Sequence, residues 1–158
     1  MPSTFIISVF ILWGAICAVQ DAYTRQISNV LTFPAGLVAM LYLILTGHTL
    51  WGATPVEAGA SVLLVLLLTL PGYYRNQFGA GDIKMLLVLA LSLGFIPVLI
   101  CFATAGAALL LWRCTGPHLC SRLPHSLTQA MPGPAQKSAG TPYAPFLFSG
   151  MLMALASA

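Results

Sequence analysis

The sequence predicts an all-α membrane protein: a bundle of about six transmembrane helices with both termini on the non-cytoplasmic side. Three observations carry this. The 158 residues are 59% hydrophobic and only 6% charged, with a mean hydropathy of +0.94, where a soluble domain would be about 25% charged. Apolar runs recur along the chain, and a span needs roughly 20 residues, so the length holds about six of them and leaves no room for a second domain. The cations, finally, fall on one side of the alternation those runs impose.

The first run covers about Ser3–Val19 and is expected to remain as an uncleaved span, because no Lys or Arg precedes it as a secretory signal would require. The second runs from about Val30 to Leu45 and the third from about Pro55 to Leu70. After a polar break at Tyr73–Gln77, apolar character resumes at Ile83 and lasts to Leu111. That is too long for one span. Gly94 and Pro97 divide it, since proline removes a helical hydrogen bond, into a fourth helix ending near Leu93 and a fifth starting near Phe95. The segment from Arg113 to Thr141 is rich in Pro, Gly, Ser and Thr and reads as an irregular loop. Tyr143–Ala158 supplies the sixth span, and residues 1–158 form one domain.

With six alternating spans, the loops after the first, third and fifth share a face. They hold Arg25, Arg75, Lys84, Arg113, Arg122 and Lys137, which is all six cations of the chain. The positive-inside rule makes that face cytoplasmic. Cations scattered through loops rather than gathered in a patch exclude nucleic acid as a partner.

Only three acids occur in the chain. A charge near hydrocarbon costs about 2.5–3.5 kcal/mol on insertion scales, so each survivor calls for an explanation. Asp21 is expected just past the first span and Asp82 at the opening of the fourth, both on the cytoplasmic side. Glu57 lies near the outer end of the third and is a bystander. Two carboxylates brought together cannot both ionise cheaply, so they share a proton and titrate as a pair. Such a pair activates water for peptide hydrolysis without metal or covalent intermediate. The plainer readings are a helix cap for Asp82 and an ion pair with Arg25 four residues on for Asp21.

Gly79 and Gly81 precede Asp82 and are expected to allow close backbone approach and positive φ, letting a substrate strand pass beside the carboxylate. Cys17 and Cys101 fall in apolar runs and act as small hydrophobes. Cys114, His118, Cys120 and His125 cluster in sequence but fit no common zinc spacing, so no metal site is expected. His48 reads as a solvated turn residue, and Trp13, Trp51 and Trp112 as interfacial anchors.

Asp21, Ile27 and Asn29, together with Phe78-Gly79-Ala80-Gly81-Asp82-Ile83-Lys84 and Pro142-Tyr143-Ala144-Pro145-Phe146-Leu147, resemble the type IV prepilin peptidases, GxGD-type aspartic proteases of the bacterial inner membrane. The resemblance implies a catalytic pair, Asp21 and Asp82, that cleaves the short basic leader from prepilin or pilin-like precursors at the cytoplasmic face. Gly79 and Gly81 would shape the approach, Lys84 would bias the pair, meet substrate or extend to the interface, and Asn29 would be local structure beside the site. The precursor protein and membrane lipid are the implied partners, and no cofactor is needed. Ser28 stands where the family usually has proline, which is expected to loosen the turn. The paired CxxC motifs of larger members are missing, so methyl transfer is not expected, and the chain is similar to the short, peptidase-only form of Flp or tight-adherence pilus systems. A different class also accommodates two membrane carboxylates: a small transporter or channel subunit using Asp21 and Asp82 as proton or cation sites.

Overall fold

A computed structural model describes residues 4–24, 26–75, 79–120 and 143–157. Those residues form six helices and no strands: α1 (Thr4–Thr24), α2 (Asn29–Thr46), α3 (Pro55–Tyr74), α4 (Ala80–Leu93), α5 (Phe95–Cys120) and α6 (Ala144–Ser157). α1, α2, α3 and the Phe95–Thr115 part of α5 are long and apolar enough to cross a membrane. α4 and α6 have 14 residues each, about 21 Å at 1.5 Å per residue, against roughly 30 Å of hydrocarbon.

The short α4 is the hub. It packs against α2, α3, α5 and α6, and Met85, Leu86, Leu89 and Ala90 are fully buried along it. α1 buries Phe10, Gly14, Cys17, Ala18 and Asp21, a helical 3–4 spacing that carries Asp21 on the same face as the core residues above it. α5 and α6 form the most extensive helix pair. Gly150 makes this possible, because a Cβ there would collide with the Cys101 carbonyl, and small residues let membrane helices approach closely. Cys17 and Cys101 are both buried, as expected of cysteine in apolar runs.

The break between α4 and α5 falls at Gly94, where φ is +95° and a side chain would be strained, matching the boundary expected from sequence. At that end of the bundle Trp51 N–H donates to the Ser92 carbonyl at 3.3 Å, fastening the α2–α3 turn to the end of α4; within the turn Thr49 N–H donates to the Ala53 carbonyl and Ala53 N–H to Thr49 Oγ1, both at 2.9 Å. His48 sits there, exposed.

Three expectations need correction. α1 runs to Thr24, so Asp21 lies within the helix and not just past it; Thr24 Oγ1 donates to the Gln20 carbonyl at 2.8 Å and completes the last turn. α5 continues to Cys120 through the start of the expected Arg113–Thr141 loop. An established helix gains a hydrogen bond per residue added, and Thr115 Oγ1 adds one more to the Leu111 carbonyl at 2.7 Å. The rest of that loop, with Arg122, His125 and Lys137, lies outside the described residues, as do Arg25, Phe78 and Pro142. Third, Trp13 and Trp51 are not simple anchors. Both pack against Phe10 with tilted rings, at 5.5 and 5.2 Å between ring centroids, and Trp13 Nε1 donates to the Leu31 carbonyl at 3.0 Å, tying α1 to α2.

Candidate active site

At the end of the bundle opposite Gly94, three segments meet: the last turn of α1 with the Gln26–Ser28 connection, the start of α4, and the start of α6. The first two, with the first residue of α2, border a cavity of about 680 Å³ lined by Gln20, Asp21, Ser28, Asn29, Gly79, Gly81, Asp82 and Lys84 among others. All six residues expected at a site thus line one cavity.

Both aspartates are buried, Asp21 with 5% and Asp82 with 8% of its surface exposed, and they lie near enough for the charge of one to act on the other. Their hydrogen bonding differs. Asp21 Oδ2 accepts the backbone N–H of Ala144 at 3.1 Å, the first residue of α6, where unsatisfied N–H groups and the helix dipole favour a negative charge. Asp82 sits at the third position of α4 and its Oδ2 accepts the Gly79 N–H at 3.2 Å. This is half of a capping box, since Gly79 has no side chain to return the bond. Asp82 Oδ1 is buried with no hydrogen-bond partner among the described residues. Capping therefore occupies one oxygen of Asp82 and leaves the other unexplained.

The glycines act by closeness alone, which corrects the expectation of positive φ. Gly79 has φ −75° and ψ 148°, and among the described residues the positive-φ glycines are Gly47, Gly52 and Gly94. A Cβ on Gly81 would stand 3.1 Å from Ile27 Cβ and 3.2 Å from its backbone nitrogen, so the space beside Gly81 belongs to Ile27 and not to a passing substrate strand. A Cβ on Gly79 would lie 3.1 Å from Asp82 Oδ2. This packing explains why Ile27, Gly81 and Asp82 occur together: Ile27, itself buried, docks the α1–α2 connection onto the first turn of α4 and so brings Asp21 to Asp82.

Ser28 does not loosen the turn. It caps α2, its Oγ accepting the Val30 N–H at 3.2 Å, and its own N–H donates to Gln20 Oε1 at 3.1 Å. Lys84 Nζ donates to Asn29 Oδ1 at 2.6 Å and stands 5.6 Å from the Phe33 ring centroid. Glu57 lies at the start of α3 in a complete capping box with Thr54, a structural role whose signal, Thr-Pro-Val-Glu, is visible in the sequence. Among the described residues no cluster of His, Cys, Asp and Glu could hold a metal; the side chains of His118 and Cys120, and all of His125, fall outside them.

Two contributors were not foreseen: the Ala144 N–H and the Gln20 carboxamide. Neither has a residue-type signature, one being a backbone group and the other an uncharged side chain placed only by folding.

A family model for the type IV leader peptidases matches residues 8–114, a stretch that takes in both aspartates, all of α2, α3 and α4, and most of α1 and α5. The chain belongs to the type IV leader peptidase family. No curated protein and no solved structure matches it. Membership makes this peptidase a protein that acts on a precursor protein, and with several apolar helices it is multi-pass in a membrane. It also weighs against the transporter reading, for which the cavity offers no second feature.

Proposed function

We propose that this leader peptidase is a GxGD-type aspartic endopeptidase in which Asp21 and Asp82 form the catalytic pair, removing the short basic leader of prepilin or pilin-like precursors. The observation that carries the reading is the arrival of two buried carboxylates, from α1 and α4, on one cavity at one end of the bundle. One carboxylate takes a proton from water as the water oxygen bonds to the scissile carbonyl carbon. The other gives its proton to the carbonyl oxygen. As the resulting diol collapses and the C–N bond breaks, the first carboxyl gives its new proton to the departing nitrogen and the second carboxylate takes the proton of a diol hydroxyl, so the pair returns to its starting protonation.

In this reading the end of the bundle with the cavity faces the cytoplasm at the bacterial inner membrane, with both termini opposite and six membrane-embedded helices in one domain; the one-sided distribution of the cations supports that orientation. The precursor's basic leader stays in the cytoplasm while its apolar segment lies beside the bundle. Helical amides are shielded by their own hydrogen bonds, so the scissile stretch enters the cavity extended. No methyl transfer follows and no cofactor takes part, in keeping with the short, Flp-type form.

The test is cleavage of a purified prepilin precursor by wild type, Asp21→Asn and Asp82→Asn in detergent, with the product mass read with and without S-adenosylmethionine. Both variants are expected to leave the precursor intact. Full cleavage by either one overturns the pair.

A further inference from the structure

Gln20 precedes Asp21 and lines the same cavity, yet the hydrolytic step gives it no work. Its surroundings fix its orientation. A carboxamide accepts through oxygen and donates through nitrogen, and Gln20 Oε1 is held by the Ser28 N–H at 3.1 Å. The turn beneath is braced as well, with Thr24 Oγ1 bonded to the carbonyls of both Gln20 at 2.8 Å and Gln26 at 2.9 Å. What the side chain has left is its NH2 group, which meets no acceptor among the described residues. The clasp depends on the Ser28 N–H, which a proline at that position would lack.

An extended peptide entering this cavity brings backbone carbonyls stripped of water and of helical partners, each in need of a donor. The other side chains around the cavity are less suited to that need. Asp21 and Asp82 accept when ionised, one N–H of the Lys84 ammonium is taken by Asn29, and the Gln26 and Asn29 carboxamides are exposed to solvent where Gln20, beside Asp21, is half-buried. We infer that the Gln20 NH2 donates to a backbone carbonyl of the precursor within a few residues of the scissile bond, holding the extended stretch against the pair. This rests on the proposed reading of the cavity as a peptidase site. It makes Gln20 a substrate-binding residue, with Ser28 as the residue that positions it.

The experiment compares steady-state cleavage of a precursor peptide by wild type, Gln20→Met and Ser28→Pro, with Asp82→Asn alongside. The peptide is also made with single thioamides, one at each position flanking the cut, since sulfur is a weak acceptor. Gln20→Met keeps the shape and removes the donor. A neutral hydrogen bond of ordinary strength predicts a three- to tenfold loss of kcat/KM, mainly in KM. One thioamide is expected to slow wild type by a similar factor and to add nothing in Gln20→Met, a coupling that a merely structural role would not produce. Ser28→Pro keeps the side chain but frees it, and is expected to raise KM in the same direction, which keeps the test open should Gln20→Met fold poorly. Wild-type kinetics in Gln20→Met, or thioamides that slow both enzymes equally, overturn the inference. Those results with an inactive Asp82→Asn defeat the role of Gln20 alone, whereas an active Asp82→Asn defeats the reading of the site.

Discussion

Lys84 Nζ donates to Asn29 Oδ1 over 2.6 Å, joining the second turn of α4 to the first residue of α2 across 55 positions of sequence. The lysine that follows the GxGD stretch thus reaches the other half of the motif pair, where Asn29 stands eight residues beyond Asp21. Lys84 lines the cavity, and its ammonium stands over the Phe33 ring. Lys84→Met and Asn29→Ala are each expected to lower stability by about 1 kcal/mol, the ordinary worth of such a bond. The double variant should lose little more than either single, because both remove one interaction. Thermal melts of the four proteins check this, and full additivity would separate the two residues.

The two glycines of the signature predict different injuries. At Gly81 a methyl group presses on the Ile27 backbone and Cβ, atoms that cannot swing away, so Gly81→Ala is expected to cost about 1–3 kcal/mol by overpacking. At Gly79 the methyl meets Asp82 Oδ2, a side-chain atom that can move. Gly79→Ala should then melt closer to wild type while cleaving the precursor more slowly, as the carboxylate is displaced. Melting and processing rates measured on both variants separate packing from chemistry; equal loss of both in each variant would contradict the assignment.

What the sequence made legible follows from which forces act locally. Gly94 marks the α4–α5 break because a positive φ has a residue-type signature. Asp21 and Asp82 stood out because charge is costly near hydrocarbon. The helix ends were less legible: α1 runs on to Thr24 and α5 to Cys120, since hydrogen bonds continue a helix past the end of its apolar run. The use of Gly81 could not be read either, because its reason is Ile27, which only the fold places beside it. Gln20 was invisible for the same cause. Its partner is a backbone N–H eight residues on, and no composition or spacing reports such a bond.

Glu57, the acid away from the cavity, supports a negative prediction. Its Oε2 accepts the Thr54 N–H at 2.9 Å while Thr54 Oγ1 accepts the Glu57 N–H at 3.3 Å. Glu57→Ala removes one arm of that box and is expected to cost about 1 kcal/mol or less. Precursor processing should stay at the wild-type rate, measured under conditions where both proteins are folded. Loss of processing in a stably folded Glu57→Ala would show that the third acid takes part after all.

The two aspartates, chemically alike, are expected to respond to the same isosteric change with opposite signs in stability. Asp21 faces the N-terminus of α6 through the Ala144 N–H, where a negative charge is favoured by about 0.3–1 kcal/mol, rising to roughly 2 when partly buried. Asp21→Asn keeps an oxygen for that N–H but gives up the charge, so it should melt lower than wild type. Asp82 keeps one buried oxygen without a donor among the described residues, an arrangement that costs free energy whenever the group is ionised. Asp82→Asn retains an acceptor for the Gly79 N–H and removes the charge, so it should melt at or above wild type by up to about 1–2 kcal/mol while losing cleavage, as expected where a destabilising group is kept for activity. Calorimetry of the two variants in one detergent decides it. A marked loss of stability in Asp82→Asn would mean that Asp82 is held for structure, and that its burial has no catalytic explanation.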